Sequence, residues 1–223
     1  FGSGSGISDS AAEDPGTVTF KKPGVYQVAF TVTDAKGIYD PTPAIRTITV
    51  RSSSPEITQV QYEWNLKYVD SQELSGCGSD GKVIDLRKCN PATYAFDGKN
   101  DTIWHTEFSA QRPDLPHEIQ IDLGAVYAID TFIYVPRQDI LIDGSIASNG
   151  RIERYKFYVS VDGEAWGTPV AAGVFANDNA EKEVVFTPKK GRFIRLRALS
   201  ETNNLLFTSI AEIKVKGIEA GGN

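Results

Sequence analysis

The chain has 223 residues, of which 40% are hydrophobic, 23% charged and 10% aromatic, a balance that belongs to a folded protein with a real core and excludes a disordered tail. Its formal net charge is -6 and it contains no basic run, which argues against nucleic acid as a partner, because that binding needs a concentrated positive surface. No apolar stretch approaches the roughly 20 residues that span a bilayer, and the N-terminus lacks the charged-then-apolar layout of a secretory leader.

The length suits one large β-domain and one small one. Phe1 falls inside what reads as a strand, so the chain is expected to be a piece of a longer protein with any export signal upstream. Two runs of alternating apolar residues, 17–20 (TVTF) and 25–33 (VYQVAFTVT), flank a Pro-Gly turn signal at 23–24, and a second turn at 34–37 precedes a third strand at 45–50. The polar, Pro-terminated stretch 51–55 reads as a joint. The expected units are residues 1–52, residues 53–218 and a tail at 219–223.

Beyond the joint, short strands are predicted at 118–122, 128–135, 155–160, 183–186, 192–198 and 211–216, each bounded by Gly, Pro, Asn or Asp. No segment carries a helical stripe, so the fold class is all-β, a sandwich or jelly roll with at most one or two helical turns. Asp162-Gly163 carries the signal of a tight hairpin. Cys77 and Cys89 are the only cysteines and lie close together in a Gly, Ser and Asp-rich stretch. That suits a short surface disulfide between them, with two free thiols as the alternative. A disulfide would favour an oxidising, extracellular setting, and two histidines, His105 and His117, are too few for a zinc site of the usual kind.

Residues 97–102 (DGKNDT) pack two carboxylates, an amide, a hydroxyl and a glycine into six positions. Calcium takes six to eight oxygen ligands, including carbonyls from a tight loop, and this segment could supply several. The same residue types also make an ordinary solvated turn. A second constellation suits a sugar, which is held by polar groups at its hydroxyls and by apolar faces at its C–H surface. His105, Glu73 and Arg137 are the polar candidates, with Phe108 and Phe207 as platforms. Each has a structural alternative: a packed histidine, a Glu73–Arg137 surface ion pair, and a core position for Phe207.

Two resemblances sharpen this reading. The strings PGVYQV (23–28), TVTD (31–34) and TITV (47–50) resemble the second half of a polycystic-kidney-disease-type (PKD) immunoglobulin-like domain, which implies a spacer. The strings YAFDGKNDTIWHT (94–106), PHEIQIDLG (116–124), VPRQD (135–139), NGRI (149–152), YVSVDG (158–163) and TSIAEI (208–213) recur in the order of the discoidin, or factor V/VIII type C, fold and resemble its family 32 carbohydrate-binding modules.

That second resemblance implies a galactose-binding-domain-like β-sandwich with a structural calcium ion. Its ligands would be the Tyr94, Lys99 and Ala211 carbonyls with the Asp97, Thr102 and Glu212 side chains. The sugar site would comprise Glu73, His105, Phe108, Arg137, Asn149 and Phe207. One departure concerns Asn149, because residues 140–148 lengthen the segment before it. The implied function is non-catalytic binding of galactose-type glycans by a monomeric module of a secreted or cell-surface protein, targeting a larger carbohydrate-active enzyme. No catalytic motif stands out. The alternative is an adhesion module that reaches protein or membrane through 140–142 or 205–207, for which an acidic chain without a basic rim fits anionic lipid poorly.

Overall fold

The computed structural model describes residues 1–51, 54–57, 64–80, 82–141 and 143–220. Part of the expected joint, residues 52 and 53, and the tail residues 221–223 lie outside the described residues, as does residue 142 of the lengthened loop.

The N-terminal segment forms a two-stranded antiparallel ribbon, β1 (Gly24–Phe30) with β2 (Ala44–Val50). The predicted strand at 17–20 is absent. It alternates in burial but has no ladder partner, and Phe20 instead lays its ring 5.1 Å from that of Tyr26. The second run ends early: Thr33 makes only an isolated bridge to Tyr39. The turn between them is as expected, with the Asp34 carboxylate accepting from the backbone N–H groups of Lys36 and Ile38.

The remaining elements are β3 (Asn65–Val69), a 3-10 helix (Ala92–Phe96), β4 (Trp104–His105), β5 (His117–Val135), β6 (Arg154–Ser160), β7 (Ala171–Val174), β8 (Lys182–Ala198), β9 (Ser209–Ile210) and β10 (Glu212–Glu219). The main antiparallel sheet runs β10-β5-β8-β6-β7, with β3 pairing β5 as well. The architecture is thus an all-β sandwich almost without helix.

Four of the predicted strands merge into two. The 118–122 and 128–135 runs are one strand, β5, and the 183–186 and 192–198 runs are one strand, β8. Gly124, at φ +79°, begins an irregularity between Asp122 and Tyr127 where the register with β8 shifts. A bulge of this kind bends a strand without ending it. The first half of β5 pairs β3 and the second half pairs β10. The predicted tight hairpin at Asp162-Gly163 is also different. The Asp162 carboxylate accepts from Ser160 Oγ and from the N–H groups of Glu164 and Ala165, which opens a wider loop before β7.

The core lies beneath this sheet. Along residues 117–123 of β5, burial alternates with every second residue, and along 129–135 it is continuous, as for a strand covered on both faces. Phe132 stacks on Phe157 and Tyr155 on Phe175, each at 4.1 Å between centroids, and Trp104 is 1% exposed with its indole N–H donating to the Ser71 carbonyl. Burying an aromatic side chain of this size typically stabilises by about 3 to 5 kcal/mol against truncation.

Candidate functional site

Several chain segments meet at one end of the sandwich. β4 pairs β9 through Trp104↔Ile210 and His105↔Ser209, and Glu212, at the start of β10, is opposite Val135, at the end of β5. Pro136 has no N–H to extend the β5 ladder, and Arg137 follows it into the loop. A cavity of about 520 Å³ opens there. His105, Phe108, Arg137, Asn149 and Phe207 line it together; Glu73 does not.

His105 is 2% exposed, and its Nδ1 lies 2.6 Å from the Thr106 carbonyl. A carbonyl can only accept, so Nδ1 carries the proton and Nε2 is the acceptor, with the Asn149 amide nitrogen 3.5 Å away as a weak donor to it. Burial pushes the imidazole down to about 4, with the Arg137 charge adding to the shift despite the opposing Thr106 hydrogen bond. The ring is therefore neutral at pH 7. Phe108 meets it edge-on at 5.0 Å and Phe207 tilts against it at 5.4 Å. Phe207 belongs to a loop between β8 and β9, not to the core.

Arg137 is clamped from two sides. Its Nε and one terminal nitrogen donate to the two Asp139 carboxylate oxygens at 2.6 and 2.5 Å, and the other terminal nitrogen donates to Asn149 Oδ1 at 2.8 Å. The alternative of a Glu73–Arg137 ion pair does not hold, since each side chain has other partners. A guanidinium has five N–H donors, so the clamp fixes the plane and leaves donor capacity for a ligand. Burial alone would raise the Asp139 carboxyl, but the hydrogen bonds and charge of Arg137 hold it below the usual range.

Glu73 is fully buried, and both its oxygens are occupied. Oε1 accepts from the Ser75 hydroxyl and N–H, and Oε2 accepts from the N–H groups of Phe108 and Ser109, each at 2.9 Å. Burial opposes ionisation, yet these four donors hold the carboxyl down at about 2. Its backbone knits the same region, donating to the His105 carbonyl and accepting from Asn90 N–H. Glu73 therefore sets the loop that carries Phe108.

Asn149 reaches the cavity in spite of the longer segment before it. The described residues of that segment turn back on one another, with Leu141 N–H donating to the Ser145 carbonyl and Ala147 N–H to the Asp139 carbonyl, and none of those described residues lines the cavity. Gly150 makes the placement possible: at φ +82°, a Cβ there would stand 2.6 Å from Ser209 Oγ. Gly150 N–H donates to the buried Glu201 carboxylate, and Ser209 Oγ donates to the Asn149 carbonyl.

Sequence reasoning missed Asp139, Glu201, Ser209 and Arg112, whose guanidinium lies 5.6 Å from the Phe207 ring centroid. Asp139 was visible in principle, two residues after Arg137 where extended backbone returns a side chain to the same face. Glu201 and Ser209 act through contacts distant in sequence.

His117 was given no role. It is fully buried; Nδ1 lies 2.7 Å from Asp70 Oδ2 and Nε2 2.8 Å from the Leu206 carbonyl. Both partners accept, so both ring nitrogens donate. Burial would lower this histidine, but the hydrogen bonds to Asp70 and Leu206 outweigh it and raise the pKa above the ordinary value. The bond to Leu206 holds the residue just before Phe207.

The loop expected to hold calcium borders the same cavity, which Tyr94 and Thr102 also line. Asp97 accepts from Lys99 N–H at 3.0 Å and from the Thr102 hydroxyl at 2.8 Å, while Glu212 accepts from Gly98 N–H at 3.0 Å. Glu212 is 4% exposed, and burial together with the charge of Asp97 raises its carboxyl to about 8. Two facing carboxylates, one of them buried, are short of positive charge. Among the described residues no group of three or more His, Cys, Asp and Glu side chains gathers here, so any further ligands would be the Thr102 hydroxyl and carbonyl oxygens. The Cys77–Cys89 disulfide is formed, and it closes the loop that precedes Asn90.

This fold and site define a class. The F5/8 type C domain model matches residues 79–213, and the chain belongs to that family. It is 34% identical to a sialidase of Micromonospora viridifaciens over 158 residues, 70% of this chain and 22% of that protein. It is 39% identical to a galactose oxidase of Gibberella zeae over 127 residues, 56% of this chain and 18% of that protein. The chain thus spans about a fifth of the length of these curated relatives. Among solved structures, it resembles the Clostridium perfringens module CpGH89CBM32-5 in complex with GalNAc-beta-1,3-galactose, at 28% identity and a TM-score of 0.58 over 73% of this chain and all of that one. The family 32 carbohydrate-binding module of C. perfringens NanJ in complex with galactose is similar at 25% identity and a TM-score of 0.55, over 72% of this chain and 96% of that one.

Proposed function

We propose that residues 53–218 are a non-catalytic carbohydrate-binding module for galactose-type sugars, which targets a larger secreted carbohydrate-active enzyme to its substrate. The observation that carries this reading is the convergence in one cavity of a lone-pair acceptor, His105 Nε2, a clamped donor, Arg137, and two aromatic faces, Phe108 and Phe207. A sugar hydroxyl that donates to His105 and accepts from Arg137 is oriented by both, while its ring's C–H face covers the aromatics. Asn149 adds an amide beside them, and Glu73 is a positioning residue for the Phe108 loop. The family 32 neighbours seen with galactose-containing ligands support this assignment. The matched enzymes are covered over about a fifth of their length, which supports a module attached to an activity located elsewhere.

The donor set around Asp97 and Glu212 fits a calcium ion. Asp97, Thr102, Glu212 and the carbonyls of Tyr94, Lys99 and Ala211 would hold it. The ion would supply positive charge to two facing carboxylates and join the loop to β10. Binding that favours the folded state stabilises it by mass action. Excess chelator is expected to lower the melting temperature by several degrees, and an unchanged melt would remove the assignment. The disulfide supports an oxidising, extracellular setting.

A glycan array probed with the calcium-loaded chain tests the function directly. Binding restricted to glycans ending in galactose or N-acetylgalactosamine is the expected result, and silence across such glycans would overturn it. The adhesion alternative is supported by the exposed Ile140, Leu141, Leu205 and Leu206, and it predicts sedimentation with lipid vesicles instead.

A further inference from the structure

The cavity continues past the residues assigned to the galactose-type sugar. Leu86 and Arg87 also line it, carried by the loop that the Cys77–Cys89 disulfide closes. The described residues of that loop on either side of Leu86 are tied to Gly76. Ile84 and Asp85 N–H both donate to the Gly76 carbonyl, Gly76 N–H donates to the Lys88 carbonyl, and a Cβ at Gly76 would stand 2.4 Å from the Asp85 carbonyl oxygen. Leu86 is nonetheless 78% exposed, so the loop offers an apolar side chain to solvent beside the cavity.

The charges at this rim are unequal. Arg137 and Asp139 neutralise one another. Of the remaining charged lining residues, Arg87 and Arg112 are positive and Asp101 is negative, on a chain whose net charge is -6. Arg87 has Asp85 3.5 Å away, but its side chain is 90% exposed, and such pairs contribute little. Arg112 rests over the Phe207 ring and has no ion pair among the described residues. A cavity of about 520 Å³ is of a size that encloses drug-sized ligands, larger than one sugar ring.

We propose that the cavity has a second subsite for an acidic sugar residue, one bearing a carboxylate or a sulfate, next to the galactose-type residue. Arg112 and Arg87 meet its anion and Leu86 covers its C–H face. A guanidinium suits either group because its planar fork matches two oxygens at once. This rests on the galactose reading for the first residue and names the kind of glycan that the same site selects.

The test compares three probes sharing one terminal galactose: lactose, lactose with its glucose C6 oxidised to a carboxylate, and lactose sulfated at that C6. The intact chain is expected to bind one or both acidic probes about tenfold more tightly than lactose, since a charge-assisted hydrogen bond is worth roughly one such factor, with the gap closing as salt is raised. The two acidic arms tell carboxylate from sulfate. Arg87→Gln is expected to leave lactose affinity unchanged and lower the acidic-to-neutral ratio; Arg112→Gln should lower that ratio further, and Arg112→Lys should restore part of it. Equal affinity of the intact chain for all three probes overturns the proposal, as does a preference that persists in the double glutamine variant. Failure to bind any of the three, lactose included, is instead the failure of the galactose reading, and the second subsite falls with it.

Discussion

His105 donates from Nδ1 to a carbonyl and keeps Nε2 as an acceptor facing the Asn149 amide, whereas His117 donates from both nitrogens. Their pKa values move in opposite directions, and so do the pH effects. His105 titrates at about 4 in the folded chain and near 6.5 when unfolded. The stability it contributes is present above 6.5 and lost as the pH falls toward 4, to a total of roughly 3 kcal/mol. Protonation also removes the acceptor, so sugar affinity should be level near neutrality and collapse below about pH 4.5, in contrast to a His105→Asn variant, which would bind weakly with no such step. His117 has a raised folded value, so its contribution is complete below 6.5 and lost as the pH rises through that value. Urea titrations of the calcium-loaded chain across pH 6 to 9 should show this decline in the parent and a smaller one in His117→Phe. At this scale the sequence revealed residue types but not their partners. Arg137 and Glu73 were read as a possible pair, yet Asp139 takes one and four N–H or O–H donors take the other.

β5 and β8 explain what was and was not legible among the elements. Their apolar runs were found, because alternation survives in the residues themselves. Their continuity was hidden, because Gly124 looks like a terminator until a bulge uses it to bend the strand. β3 was missed, since its residues are partly exposed and owe their conformation to β5. β7 was missed as well, a short run of small residues fixed by pairing with β6. The run at 17–20 failed in the reverse sense: alternation was present and a partner was not. The loop at Asn149 depends on Gly150, whose φ of +82° and close approach to Ser209 suit no other residue. Gly150→Ala should therefore destabilise the fold by about 2 kcal/mol or more, through backbone strain and the clash together. It should also weaken sugar binding, because Asn149 and through it Arg137 would shift. Chemical denaturation and a binding titration on the same sample check both parts.

For the whole molecule, the ordered motifs of the F5/8 type C region were the most readable feature, and the family model matches that region. The region before it is less determined. A two-stranded ribbon is marginal alone, and β1-β2 exposes Val25 and Ile45 on one face and Phe30 on the other, apolar side chains that an immunoglobulin-like sandwich would bury. We propose on that basis that residues 1–52 are the second half of the PKD-type spacer expected from their sequence. Several copies of such a module in one parent protein would raise avidity without new contacts. The central claim is that one end of this sandwich clasps a galactose-type sugar through Arg137. Its most direct test is isothermal titration of methyl β-galactoside into the calcium-loaded chain and into Arg137→Ala, with thermal melts of both. Saturable binding by the parent is expected, with at least a tenfold loss in the variant and little change in melting temperature, because a lost charge-assisted hydrogen bond costs about that much. Equal binding by a well-folded Arg137→Ala variant would contradict it.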